Sequence, residues 1–116
     1  FNATNKNRAD FTIIDNTWYH VVIVKSTNSI DHIYINGVSQ TIDNTTSWSG
    51  AVPVASFIGV YSSLYFEGKL DEFAIWDTAL TSTQIQSIYD ATSTNLTKDL
   101  TTVSGSNLKY WNRMGD

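Results

Sequence analysis

The sequence contains no cysteine. That absence removes disulfide staples, zinc–thiolate sites and cysteine nucleophiles together. It does not fix the compartment, because exported β-proteins also fold without disulfides. Charge is sparse, with 7 Lys and Arg against 11 Asp and Glu, a net charge of −4 and only 16% charged residues. The basic residues form no cluster, which excludes a nucleic-acid interface built on phosphate neutralisation. No apolar run reaches membrane-spanning length, and no signal peptide is visible. There is no glycine-rich phosphate loop and no Asp-x-Asp-x-Asp-Gly run of the calcium-loop kind. Spacing singles out no Ser-His-Asp set.

What is present favours extended structure. Ser, Thr and Asn supply 38 of the 116 residues. Their side chains compete with the helical backbone for hydrogen bonds, so long helices are disfavoured and polar turns are favoured. Hydrophobic residues at 41% and aromatics at 13% are enough to bury one core, and the length suits one domain. The first residue is Phe1 and the only methionine is Met114. The chain is therefore expected to be a segment of a longer protein.

Residues 1–10 are polar and read as an edge strand or loop. Trp18 to Lys25 (WYHVVIVK) is a β-branched and aromatic run almost without polar interruption, the pattern of a central strand buried on both faces. Ile30 to Ile35 and Val38 to Ile42 form two more strands around Asn36-Gly37, which suits a type I′ turn because both residues tolerate positive φ. Val54 to Val60 is a further strand. Tyr65 to Trp76 follows, and its parity breaks in the middle. A bulge near Asp71-Glu72 would turn Leu70, Phe73 and Ile75 all inward.

A helix is expected over 82–90. Thr81-Ser82-Thr83-Gln84 fits a capping box, and Leu80 and Ile85 are spaced as its hydrophobic staple. Ile85, Ile88 and Tyr89 make a stripe at helical spacing, which would pack the helix on the outside or rim of the strands. Residues 91–107 read as a polar linker. Leu108 to Asn112 returns to strand character.

Three pieces, in order, resemble the laminin G-like, concanavalin A-like jelly-roll family. They are Trp18-Tyr19-His20-Val21-Val22, then Ile33-Tyr34-Ile35-Asn36-Gly37, then Phe66-x-Gly68-x-Leu70-Asp71-Glu72-Phe73-x-Ile75-Trp76 with Ala79-Leu80 and the capped helix. The resemblance implies an all-β, antiparallel jelly-roll sandwich, here partial, with one short helix. Residues 1–90 would be the second half of one copy, 91–107 a linker, and 108–116 the opening strand of a following repeat. The ending Tyr110-Trp111-x-Arg113-Met114-Gly115-Asp116 also resembles modules of bacteriophage and bacterial surface proteins. An extracellular, cell-surface or virion location follows as an expectation, with a glycan or protein ligand and neighbouring domains of a longer chain as partners.

Candidate chemistry is thin. Glu67, Asp71 and Glu72 form the only dense carboxylate cluster. Glucanases of this architecture resemble Glu-x-Asp-x-x-Glu, whose alternating acids share one strand face. Here Lys69 intervenes and the adjacent Asp71 and Glu72 would diverge, so the pattern fails and no catalytic residue is assigned. Asp71 equally suits a structural part at a bulge. The resemblance also implies rim calcium held by oxygen ligands. Its candidates are Asp31, Asp43, Asn44 and Asp71, and ordinary turn acids are the other reading. Trp48, in a loop with Ser47, Ser49 and Gly50, is the first candidate for a sugar-stacking platform, with Tyr61 and Tyr65 beside it. A loop Trp folded over the sheet is the alternative. His20, in its apolar run, reads as a satisfied core histidine. The expectation is a non-catalytic binding or adhesion module, with carbohydrate as first ligand. A structural spacer or virion decoration module is the alternative, and a glycoside hydrolase comes third.

Overall fold

The computed structural model describes residues 7–25, 30–44, 58–61, 63–93 and 98–114. All strand pairings among them are antiparallel. β1 (Asn7–Ala9) pairs with β5 (Ile42–Asn44). β2 (Val21–Lys25), β3 (Ile30–Ile35) and β4 (Val38–Gln40) form a meander with β3 in the centre. β6 (Val60–Tyr61) and β7 (Leu64–Tyr65) make a short hairpin, and β8 (Phe73–Trp76) pairs with β9 (Leu108–Asn112). One helix, α1 (Ser82–Ser93), lies between the last two strands in sequence.

The β3–β4 turn forms as its residues dictate. Asn36 has φ 51° and Gly37 φ 77°, the left-handed pair that a type I′ turn requires. Asn36 also ties the turn to the chain entering β2: its N–H donates to the His20 carbonyl at 2.8 Å, and its Oδ1 accepts from the His20 N–H at 3.0 Å. The third strand ends at Gln40. After Thr41 the chain changes partner and Ile42 joins β1 instead.

The start of α1 also follows its sequence. The Thr81 N–H donates to Gln84 Oε1 at 2.8 Å, and the Gln84 N–H donates to Thr81 Oγ1 at 3.3 Å. These reciprocal bonds satisfy two donors that a helix start leaves orphaned. Leu80 and Ile85 are both buried, Ile85 completely. The helix runs to Ser93, one turn beyond the expected end.

Its position differs from expectation. α1 supplies the centre of the core: Ile85 and Ile88 cluster with Val24 and Tyr34 of the meander and with Leu80, Leu100 and Val103. Residues 98–107 are likewise more than a linker. They form two 3₁₀ turns, Leu100–Thr102 and Gly105–Asn107, and their two apolar residues enter the core. Two isolated apolar residues among Thr, Ser and Asp carry no period, which hid them. Gln84 Nε2 donates to Ser104 Oγ at 2.7 Å, and Trp76 Nε1 to the Val103 carbonyl at 2.8 Å. These bonds fasten this segment to α1 and β8.

Two further expectations are corrected. The run Trp18 to Lys25 is not buried on both faces. The strand begins at Val21 and pairs only with β3, and Trp18 is 63% and Ile23 59% exposed. Val22 and Val24 turn to α1, while Val21 and Ile23 share the opposite face with Val38. Nothing among the described residues covers that face over its flanking strands. Ile33 and Ile35 of the central strand are buried on that face. In β8 the core-facing pair is Ala74 and Trp76, not Phe73 and Ile75, and Leu70 precedes the strand, 46% exposed. The ladder irregularity lies at Ile75/Trp76. At Asp71-Glu72 the backbone instead passes through a left-handed Glu72, φ 53°, just before β8.

Candidate functional site

The expected site residues that are described lie on several elements. Trp48 lies outside the described residues. Tyr61 sits in β6, paired in register with Leu64. Tyr65 is 76% exposed on β7, with Leu64 at 56% and Phe66 at 55% beside it. The hairpin thus offers an aromatic and aliphatic surface to solvent. Gly59, at φ 76°, lets the chain turn into this hairpin, and its carbonyl accepts the Phe66 N–H at 2.7 Å.

The four calcium candidates fall at three places in the chain. Asp31 is exposed in β3, Asp43 and Asn44 lie in β5 in register with Arg8 and Asn7, and Asp71 precedes β8. Among the described residues no three His, Asp or Glu side chains converge on one point. Asp71 has the structural part expected of it, since its Oδ1 accepts the Glu72 N–H at 2.9 Å.

Within the carboxylate cluster Glu72 holds two partners across the strand pair. Glu72 Oε2 accepts the Trp111 indole N–H at 2.7 Å, and its Oε1 lies 3.6 Å from Arg113 Nε. Arg113 also stacks over the Trp111 ring at 5.6 Å from the centroid, a cation–π arrangement. The register explains the grouping. Phe73 pairs with Asn112, so the preceding Glu72 comes opposite Arg113. Glu72 lies 39 residues from Trp111 in sequence and meets Trp111 and Arg113 only because β8 and β9 pair.

Beside them opens a cavity of about 270 Å³, lined by Lys98, Asp99, Trp111 and Arg113. Asp99 caps the first 3₁₀ turn, its Oδ1 accepting from the Thr101 N–H at 3.0 Å and the Thr101 hydroxyl at 2.6 Å. Those hydrogen bonds first, and the Arg113 charge last, hold its carboxyl below the usual range. Reading 98–107 as a linker concealed this cavity. The legible signal was the Trp-x-Arg pair on a strand.

A second, shallower groove of about 440 Å³ runs between Gly37 and the polar face of α1, lined by Ser82, Thr83, Gln86, Ser87 and Asp90. Behind it His20 stacks on Tyr89 with ring centroids 6.1 Å apart. Its buried Nδ1 has no hydrogen-bond partner, so it is not the satisfied histidine expected. Burial pulls its pKa below the ordinary value, because the cation loses its hydration.

A laminin G family model, described as the concanavalin A-like lectin/glucanases superfamily, matches residues 1–86. The chain belongs to that superfamily. Its antiparallel strands and single short helix agree with a partial concanavalin A-like sandwich. The superfamily spans lectins and glucanases, so membership leaves a carbohydrate-type module as the coarsest functional statement. No curated protein and no solved structure matches the chain. The Lys98–Arg113 cavity is built by residues beyond the matched range.

Proposed function

We propose that this chain is a non-catalytic glycan-recognition module of a larger surface or virion protein. The observation that carries the reading is the outward aromatic surface of the β6–β7 hairpin, with Tyr65 at 76% exposure, in a member of a lectin/glucanase superfamily. An exposed ring stacks on the apolar face of a pyranose, and its hydroxyl stays available for the sugar's edge. The same superfamily admits hydrolases. Against hydrolysis stands the state of the acids: Asp71 and Glu72 are engaged by a backbone N–H, an indole and a guanidinium. A retaining or inverting pair needs two carboxyls facing one bond.

The test is a glycan array with the whole chain and with Tyr65→Ala and Trp48→Ala. Binding by the wild type, lost in either variant while its thermal midpoint is kept, supports the reading. No binding across the array sinks it. Running the array in chelator tests a calcium requirement, and unchanged binding removes it. Turnover of a β-glucan abolished by Glu67→Gln would replace the lectin reading with a hydrolase.

The uncovered apolar face of Val21, Ile23 and Val38 favours a second reading, a spacer that packs against neighbouring protein. Such a face suits a protein contact better than a sugar.

A further inference from the structure

The meander has an open edge at β2. In an antiparallel ladder the residues that exchange hydrogen bonds alternate along each strand. The Asn36 N–H donates to the His20 carbonyl, which fixes the parity. Val22 and Val24, opposite Tyr34 and His32, therefore spend their backbone groups on β3. Val21 and Ile23 point theirs away from it, and among the described residues β2 has no neighbour on that side. An unpaired row of this kind is a template for another strand.

Edges are commonly guarded by charge, proline or shortness, and β2 lacks these guards. Trp18 to Val24 contains no Asp, Glu, Lys, Arg or Pro. Val21 is 54% and Ile23 59% exposed, so the edge is open to approach. Other edges among the described strands differ. β9 carries Lys109 within it. Self-pairing of β8 about its centre would set Glu72 opposite Asp77, and like charges directly opposite repel. β4 ends at Gln40, after which the chain changes partner.

We infer that the free edge of β2 pairs antiparallel with the same edge of a second copy of this chain, joining two meanders into one continuous sheet. The strand is its own complement. With Val22 on the two-fold axis, Val21 of each copy stands opposite Ile23 of the other, and each such pair exchanges both of its N–H···O bonds. The same pairs meet as apolar cross-strand neighbours. No charge meets a like charge, because Lys25 comes opposite Tyr19. Association stops at the dimer, since pairing consumes the edge and β4 on the far side is short. An interface of one strand is small, so the dimer belongs to the weak, transient class. The inference stands apart from the glycan reading, since the residues involved are not those of the β6–β7 hairpin.

The experiment is analytical ultracentrifugation of the whole chain from roughly 10 μM to 1 mM, the range of weak association, with amide hydrogen exchange followed by NMR at both ends of that range. A monomer–dimer equilibrium is expected. The Val21 and Ile23 amides should gain protection as concentration rises, while the outward Ser39 amide of β4 should not. Ile23→Pro removes an outward N–H and no bond to β3, a place where an edge strand accepts proline. It should weaken dimerisation by at least about tenfold, since each copy loses a hydrogen bond. Should that variant unfold, the exchange pattern of the wild type still decides. Val38→Lys charges the uncovered face away from the edge and should leave the dimer as it is. A monomer at every concentration overturns the inference. So does dimerisation unchanged in folded Ile23→Pro, or lost in Val38→Lys, which would move the contact to the face of the sheet. Glycan binding by a chain that stays monomeric would overturn this inference alone.

Discussion

Ile85→Ala and Ile23→Ala remove the same atoms from two residues of one type and should have very different costs. Ile85 is fully buried between α1 and the meander, whereas Ile23 is 59% exposed on the opposite face of β2. Burying an isoleucine is worth about 1.5–3 kcal/mol in transfer alone. Truncation leaves a cavity as well, so Ile85→Ala should cost about 2–5 kcal/mol. A chain of this length is stable by on the order of 5–15 kcal/mol, so that loss is a large fraction. Ile23→Ala should cost less than about 1 kcal/mol, mostly strand propensity. Urea unfolding followed by circular dichroism reads both, and each variant should shift the midpoint at constant m-value. The comparison also separates two folds. A strand buried on both faces, as the run WYHVVIVK suggests, would make Ile23→Ala as costly as Ile85→Ala. Equal costs would therefore refute the exposed face, and would mean that something covers it in solution.

Thr81→Ala removes half of the capping box and should lower stability by about 1 kcal/mol, with Thr81→Ser recovering most of it in the same denaturant assay. Gly37→Ala puts a Cβ 2.6 Å from Gln86 Oε1, at φ 77°. The Gln86 side chain can swing away, so the left-handed backbone sets the cost at about 1–2 kcal/mol. A wild-type-like midpoint would mean that the turn is not type I′. His20 bears on pH. Its folded pKa is lowered by burial, so the unfolded chain takes up the proton first as pH falls. Its contribution is fully present above the unfolded value of about 6.5 and is lost as pH drops through the lower folded value. Thermal midpoints from pH 7.5 to 5, a range chosen as roughly spanning histidine titration, should fall in the wild type and fall less in His20→Gln. Parallel curves would refute the assignment. Glu72→Ala frees the Trp111 indole and should cost about 1–3 kcal/mol, with a shifted Trp111 N–H resonance as its signature.

Local features were legible in the sequence because their causes are local. Asn36-Gly37 tolerates positive φ and is found there. Thr81 and Gln84 are spaced to cap each other and do so. Leu80 and Ile85 are spaced as a staple, Ile88 follows Ile85 at helical spacing, and all three are buried. The superfamily was legible for the same reason, through short motifs in order along residues 11–90. Which face of a strand is covered is a different kind of fact. Val21 and Ile23 are as apolar as Val22 and Val24, and only the position of α1 makes one pair core and leaves the other in water. Leu100 and Val103 read as linker because two apolar residues have no period, and they are core because α1 and the meander lie within reach. Beyond its Trp-x-Arg pair, the candidate site is of this second kind. Glu72, Trp111 and Arg113 have no common spacing in the chain. The pairing of β8 with β9 alone brings a carboxylate, an indole and a guanidinium together, because strand register aligns residues without regard to their separation in sequence.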